Sequence, residues 1–185
     1  MAPTLTHIEP LIAQCKSGNQ LAQMEVYNRY YKAMYNVSFR IVKNNFEAED
    51  IMQESFLQAF TKLSSLKEAN MFGPWLKRIV VNNSISHYNK TIDKQEAPID
   101  DVLYKVEAPN EPDNDHDFTS LKAQDVLNNM KTLKDSYRIA LTLNLIEGYD
   151  YEEISTIMNI TNANSRTLIS RAKESLRQKL KAISK

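Results

Sequence analysis

The stretch from Asp150 to Arg177, DYEEISTIMNITNANSRTLISRAKESLR, decides the fold. Asp150 followed by Glu153 has the form of a capping box, in which each side chain accepts from the other's backbone N–H. Tyr151, Ile154, Ile157 and Met158 then recur at helical spacing, which predicts a short helix with those four as its buried stripe. Asn159 is a residue type that tolerates the left-handed conformation a tight turn requires. Thr161 is a good N-cap for a second helix. On that helix Leu168, Ile169, Ala172 and Leu176 fall inward. Ala163, Arg166, Thr167, Ser170 and Arg177 fall outward, with Asn164 and Arg171 at one edge and Lys173 at the other. Two helices joined by a short turn, the second basic on its outer face, form the helix-turn-helix pattern. Its second helix enters a DNA major groove, where Arg reads guanine and Asn reads adenine.

Working outward, the same periodicity continues. Val126, Leu127, Met130 and Leu133, then Ile139, Leu141, Leu143 and Ile146, predict two more helices, with Gly148 as the C-cap of the second. Upstream, TIDKQEAPIDDVLYKVEAPNEPDNDHDF (91–118) has no sustained period and carries Pro98, Pro109 and Pro112, so it reads as a linker. Before it lies a second helical block. Leu11, Ile12, Cys15, Leu21, Met24, Tyr27, Tyr31, Met34, Tyr35, Val37 and Phe39 give two amphipathic helices broken at Gly18 and Asn19. No alternating strand pattern and no internal repeat is present. The expected architecture is all-α: two small helical domains, 1–90 and 119–185, joined by an acidic linker at 91–118.

The helix expected over 48–63 has a divided surface. Ala48, Ile51, Met52, Ser55, Phe56, Ala59 and Leu63 share one side, the core stripe. Asp50, Gln53, Glu54 and Leu57 share the other, with Glu49 at the margin. Acids in a first turn suit the helix dipole, but an exposed Leu57 beside carboxylates also suits a basic partner helix. Downstream, NMFGPWLKRIVVNNSISHYNK (70–90) sets Asn70, Phe72 and Trp75 beside Lys77, Arg78, Asn82 and Asn83. Rings stack on unstacked bases, amides read base edges and cations meet phosphate. Gly73 and Pro74 suggest a turn, with Pro74 opening a helix. Trp75, Ile79 and Val80 also have the spacing of core residues.

Composition narrows the classes. The chain has 185 residues, 42 % apolar and 25 % charged, which is globular and excludes wholesale disorder. Its three glycines leave little for a glycine-rich phosphate loop. One cysteine, Cys15, rules out an internal disulfide and a multi-cysteine zinc cluster. His7, His87 and His116 are scattered, so neither a metal nor another cofactor is expected. No nucleophile–base pair appears, so no enzyme is expected. No apolar run reaches the roughly 18 residues of a membrane span, and MAPTLTHIEP is not a secretory signal. A soluble, cytoplasmic protein without stable membrane insertion is the expectation. The net charge of zero hides a partition: residues 1–90 carry ten Lys or Arg against seven Asp or Glu, 91–118 two against nine, and 119–185 eleven against seven. Two basic blocks thus flank an acidic segment, which restores the nucleic-acid reading that overall neutrality argues against.

These motifs, in this order, resemble those of the extracytoplasmic-function (ECF) RNA polymerase sigma factors, the short class carrying only regions 2 and 4. Leu11-Ile-Ala-Gln-Cys-Lys-Ser-Gly18 and Tyr27-Asn-Arg-Tyr-Tyr31 resemble the family's opening helices. Ala48-Glu-Asp-Ile-Met-Gln-Glu-Ser-Phe56 resembles the part of region 2 that binds the polymerase clamp helices. Trp75-Leu-Lys-Arg-Ile79 with Asn82 resembles the part that opens and reads the −10 element. Tyr151-Glu-Glu-Ile154 and Ser170-Arg-Ala-Lys-Glu-Ser-Leu-Arg177 resemble region 4, which reads the −35 element.

The resemblance implies a bacterial transcription initiation factor without catalysis of its own. Glu49, Asp50, Gln53, Glu54 and Leu57 would dock core RNA polymerase. Asn70, Phe72, Trp75, Lys77, Arg78, Asn82 and Asn83 would hold the −10 strand of promoter DNA. Asn162, Asn164, Arg166, Thr167, Ser170, Arg171 and Lys173 would grip the −35 duplex. An anti-sigma factor is an implied partner, and the linker would thread the channel of the nascent RNA. Some positions depart from the family. Ser165 stands in place of an aliphatic residue, Leu168 in place of a basic one, Val81 and Ser86 in place of polar or charged ones, and Asn159 in place of Gly. A helix-turn-helix regulator acting without polymerase, or a helical adaptor with no DNA role, would explain parts of the chain. The first needs a sensor or dimerisation domain, and the first block shows no ligand site.

Overall fold

The computed structural model of the chain describes residues 7–95 and 118–183. They belong to two separate compact units, and every regular element among the described residues is helical. The proline-bearing part of the expected linker, 96–117, lies outside the described residues.

The first unit holds α1 (Ile8–Lys16), α2 (Gln20–Val42), α3 (Asn45–Thr61) and α4 (Phe72–Gln95), with 3-10 turns at Leu63–Ser65 and Ala69–Met71. Gly18, at φ +83°, breaks α1 from α2, and the Asn19 side chain caps α2 by accepting from Ala22 N at 3.1 Å. Lys43 takes the left-handed conformation that ends α2. Asn44 then caps α3, accepting from Phe46 N and Glu47 N at 3.0 and 3.1 Å. Helix α3 therefore starts three residues before the expected Ala48, because the cap sets its start and the apolar stripe does not. That stripe is as expected: Ala48, Ile51, Met52, Ser55, Phe56, Ala59 and Leu63 are all buried.

Helices α2, α3 and α4 pack mutually, and small polar clips tie them. Ser84 Oγ on α4 donates to Ser38 Oγ on α2 at 3.0 Å, and both residues are fully buried. Helix α4 also differs from expectation at both ends. It begins at Phe72, so Gly73 and Pro74 lie inside its first turn, where the N–H that Pro lacks has no intrahelical partner to lose. Gly73 leaves room for a close ring there: a Cβ on it would meet Tyr30 Cε1 at 3.2 Å. At the other end α4 runs on to Gln95, five residues beyond the expected domain boundary.

The second unit holds α5 (Phe118–Lys131), α6 (Asp135–Leu141) with a π-helical turn at Thr142–Ile146, α7 (Tyr151–Met158) and α8 (Asn162–Ile183). Met130, Leu133, Leu141, Ala172 and Leu176 form a core that Val126, Leu127, Tyr137, Ile146 and Leu180 border. Gly148, at φ +79°, turns the chain toward α7. Asp150 and Glu153 make both halves of the capping box. Asn159 is left-handed at φ 54°, and Thr161 Oγ1 accepts from Asn164 N at 3.2 Å. Each of these local features matches the sequence reading.

Candidate polymerase and nucleic-acid surfaces

Helix α3 presents its acidic face to solvent. Glu49, Asp50, Gln53, Glu54 and Leu57 are all exposed. Gln53 Nε2 donates to Glu49 Oε1 at 3.2 Å, which braces the two side chains against each other. Leu57 is 70 % exposed, and so is a residue the sequence reading missed: Phe46 is 71 % exposed. Phe46, Asp50, Gln53 and Leu57 are spaced four, three and four apart, so they form one stripe along the helix. The stripe is apolar at both ends and polar between, with the Asp50 carboxylate and the Gln53 amide. Phe46 escaped notice because it precedes the apolar periodicity that defined the helix. Leu21 and Met24, expected inside, are exposed at 84 % and 59 % near the start of α2.

The residues expected on the −10 strand, Asn70 in the Ala69–Met71 turn and the rest on α4, divide by exposure. Asn70 and Asn82 are exposed, and Trp75, Lys77 and Arg78 are half-buried. By helical spacing Trp75, Arg78 and Asn82 share a stripe, whereas Lys77 lies about 200° round from Trp75. Two residues do not fit the expectation. Phe72 is fully buried, its ring edge-on to Tyr30 at 5.4 Å and tilted on Trp75 at 6.0 Å. Asn83 turns inward as well. Its Nδ2 donates to Ser55 Oγ at 2.9 Å and to Gln58 Oε1 at 3.0 Å, so it clips α4 to α3 and does not present that group to a base.

Helix α8 keeps its predicted faces. Ile169, Ala172 and Leu176 are buried, and Leu168 is half-buried. Asn162, Asn164, Arg166, Thr167, Ser170 and Arg171 are exposed, and Lys173 is half-buried. Thr167 Oγ1 donates back to the Ala163 carbonyl at 3.0 Å. Arg177 pairs with Glu174 at 3.0 Å. Ser165, fully buried where an aliphatic residue was expected, donates from Oγ to the Tyr151 carbonyl of α7 at 2.8 Å. A hydroxyl thus ties the two helices of the motif at their N-terminal ends. Tyr151, expected in the buried stripe, is 38 % exposed. Its ring lies 5.6 Å from the Arg166 guanidinium carbon, which is cation–π distance.

Cys15 is buried on α1, and burial pushes its thiol pKa up. Less thiolate makes it a poor nucleophile or redox group. Among the described residues no three His, Cys, Asp or Glu side chains gather as a metal set. None of the described helices is long and apolar enough to cross a membrane.

One unit thus presents an acidic helical surface and the other a helix-turn-helix with a basic outer face. The sigma-70 region 2 family matches residues 26–91, and sigma-70 region 4 matches residues 124–176. The ECF RNA polymerase sigma factor SigM of Bacillus subtilis is 33 % identical over 160 residues, covering 86 % of this chain and 93 % of that protein. SigW of the same organism is 30 % identical over 182 residues, covering 94 % and 97 %. Among solved structures, CnrH in complex with the cytosolic domain of CnrY superposes at TM-score 0.56 with 20 % identity, covering 95 % of this chain and 97 % of that one. The sigma factor RpoE of Bartonella quintana, in complex with the anti-sigma factor NepR, superposes at 0.53 with 21 % identity, covering 85 % and 96 %. These two share the fold. The chain belongs to the ECF RNA polymerase sigma factors, carrying regions 2 and 4. It is a transcription initiation factor that directs RNA polymerase to promoters. The relatives match across both helical blocks, and a polymerase-independent regulator has no such support.

Proposed function

We propose a division of labour between the two units in which each surface meets one class of partner. The observation that carries it is the opposite sign of the two exposed faces. On α3, Glu49, Asp50, Glu54 and Leu57 are exposed; on α8, Arg166, Arg171 and Arg177 are exposed with Lys173 beside them. The α3 stripe from Phe46 to Leu57 docks a basic amphipathic helix of core RNA polymerase. Apolar ends supply buried area, and the carboxylates set register and reject acidic surfaces. The stripe of α4 that carries Trp75, Arg78 and Asn82 holds the separated −10 strand, and Asn70, just before the helix, contributes at its margin. Opening a base pair costs a few kcal/mol per flipped base. Stacking on an aromatic ring returns about 1–3 kcal/mol. The first three turns of α8 grip the −35 duplex through Asn164, Arg166, Thr167, Ser170, Arg171 and Lys173.

The protein works by positioning polymerase and has no catalysis of its own. It acts in the cytoplasm, where polymerase and chromosome are. An anti-sigma factor is a further partner, supported by the structural likeness to RpoE in its complex with NepR. The first unit extends to the end of α4 at Gln95 and the second begins with α5 at Phe118, with the acidic segment between.

The test is site-directed photocrosslinking in reconstituted holoenzyme on promoter DNA. A photoreactive residue at Leu57 is expected to label a polymerase subunit, and one at Ser170 the upstream duplex. Labelling of DNA from Leu57, or of neither target from Ser170, would contradict the division.

A further inference from the structure

Arg166 is exposed at the start of the second turn of α8, yet its guanidinium is held at two points. Its Nε donates to Asn162 Oδ1 at 3.1 Å. Its central carbon lies 5.6 Å from the centre of the Tyr151 ring. Tyr151 is itself fixed. It directly follows the Asp150 cap of α7, whose box with Glu153 is complete, and its carbonyl accepts from Ser165 Oγ at 2.8 Å. Two consecutive residues of α8 therefore grip one residue of α7, Ser165 through the backbone and Arg166 through the ring. With Nε engaged, the terminal nitrogens Nη1 and Nη2 are left for a ligand. That pair matches two acceptors side by side, and in the major groove guanine presents them as N7 and O6. The opening residues of a recognition helix are those that reach base edges. Ala163, exposed one turn before Arg166, adds no bulk to hinder close approach.

We infer that Asn162 is a positioning residue and not a base contact: with Tyr151 it aims the Arg166 guanidinium at one guanine of the −35 duplex. This rests on α8 being the −35 helix. A long flexible side chain loses rotamer freedom when it binds. Asn162 and Tyr151 impose that order beforehand, so the free side chain already has the geometry of the bound one.

The experiment is selection of a randomised −35 duplex by full-length protein in holoenzyme, read by sequencing. Wild type is expected to enrich guanine at one position on the order of tenfold or more over other bases, as a bidentate contact does. Arg166→Ala abolishes that preference, and Arg166→Lys, lacking the fork, does not restore it. Asn162→Ala weakens the preference severalfold at the same position, as does Tyr151→Leu. Asn162→Asp keeps the acceptor for Nε and restores the guanine preference, while its charge lowers affinity for every sequence alike. If Asn162→Ala instead erases a preference at a different position, Asn162 reads its own base and the inference falls. If Arg166→Ala weakens all sequences equally and lowers the salt slope, Arg166 holds phosphate and the inference falls. A wild-type holoenzyme that selects no duplex sequence overturns the α8 reading itself, a failure distinct from the other two.

Discussion

The scaffold behind α3 and the helix-turn-helix are set by hydrogen bonds of different range. In the first, long helices are joined by side chains far apart in sequence: Ser84 bonds to Ser38 across 46 residues, and Asn83 to Ser55 across 28. In the second, the helix-turn-helix is set mostly by neighbours: Asp150 with Glu153 three residues on, left-handed Asn159, and Thr161 with Asn164. The exposed faces differ as well, acidic and apolar on α3, basic on α8. The contrast shows why one unit suits docking and the other reading. A docking surface gains from a rigid platform, and interlocked long helices provide one. A reading surface must place individual side chains, and caps and turns fix where the recognition helix begins.

The largest test of this contrast is Asp50→Lys. It sets a cation against the basic partner that the α3 stripe is proposed to meet. Like-charge juxtaposition costs several kcal/mol, so affinity for core polymerase in a fluorescence titration is expected to fall about a hundredfold or more. Unchanged affinity would remove α3 from the interface. Next is Asn83→Ala, which sharpens the assignment of Asn83 to the scaffold. Losing both bonds to α3 is expected to cost roughly 2 kcal/mol in urea unfolding. Capture of a single-stranded −10 oligonucleotide by the holoenzyme should be kept under conditions where the variant is folded. Loss of capture with unchanged stability would return Asn83 to the DNA surface.

Smaller effects probe the second unit. Arg171→Ala should lower −35 duplex affinity about five- to tenfold and reduce the salt slope by about one counterion; an unchanged slope would take Arg171 off the phosphates. Asp150→Ala removes one half of the capping box and is expected to cost about 1 kcal/mol. The loss should appear as faster amide exchange at the start of α7. Protection left intact would show that packing, and not the cap, holds that end.

The same contrast explains what could be read from the sequence. The capping box, the left-handed Asn159, the Thr161 cap and the two faces of α8 follow from residues within a few positions of each other, and all were legible. So was the buried stripe of α3, because period alone defines it. Phe72, Asn83 and Tyr151 were misplaced for a different reason. Phe72 is buried with its ring edge-on to Tyr30 of α2. Asn83 points inward because Ser55 and Gln58 await it on another helix. Tyr151 stays half out of the core because its partner is Arg166. In each case a residue on another helix settles the side chain's place, and local pattern carries no trace of it. Ser165 is the complementary case: its departure from an aliphatic type was visible in the sequence, and its partner, the Tyr151 carbonyl, was not.

The central claim is that this chain brings core polymerase to promoters through two surfaces of opposite sign. Run-off transcription tests it most directly, with bacterial core polymerase and fragmented DNA of the source organism, with and without the protein. The account predicts discrete transcripts that require the protein, whose start sites share paired upstream elements, and that vanish with Asp50→Lys. An absence of transcripts together with an absence of core binding, while the free protein binds duplex tightly, would contradict it.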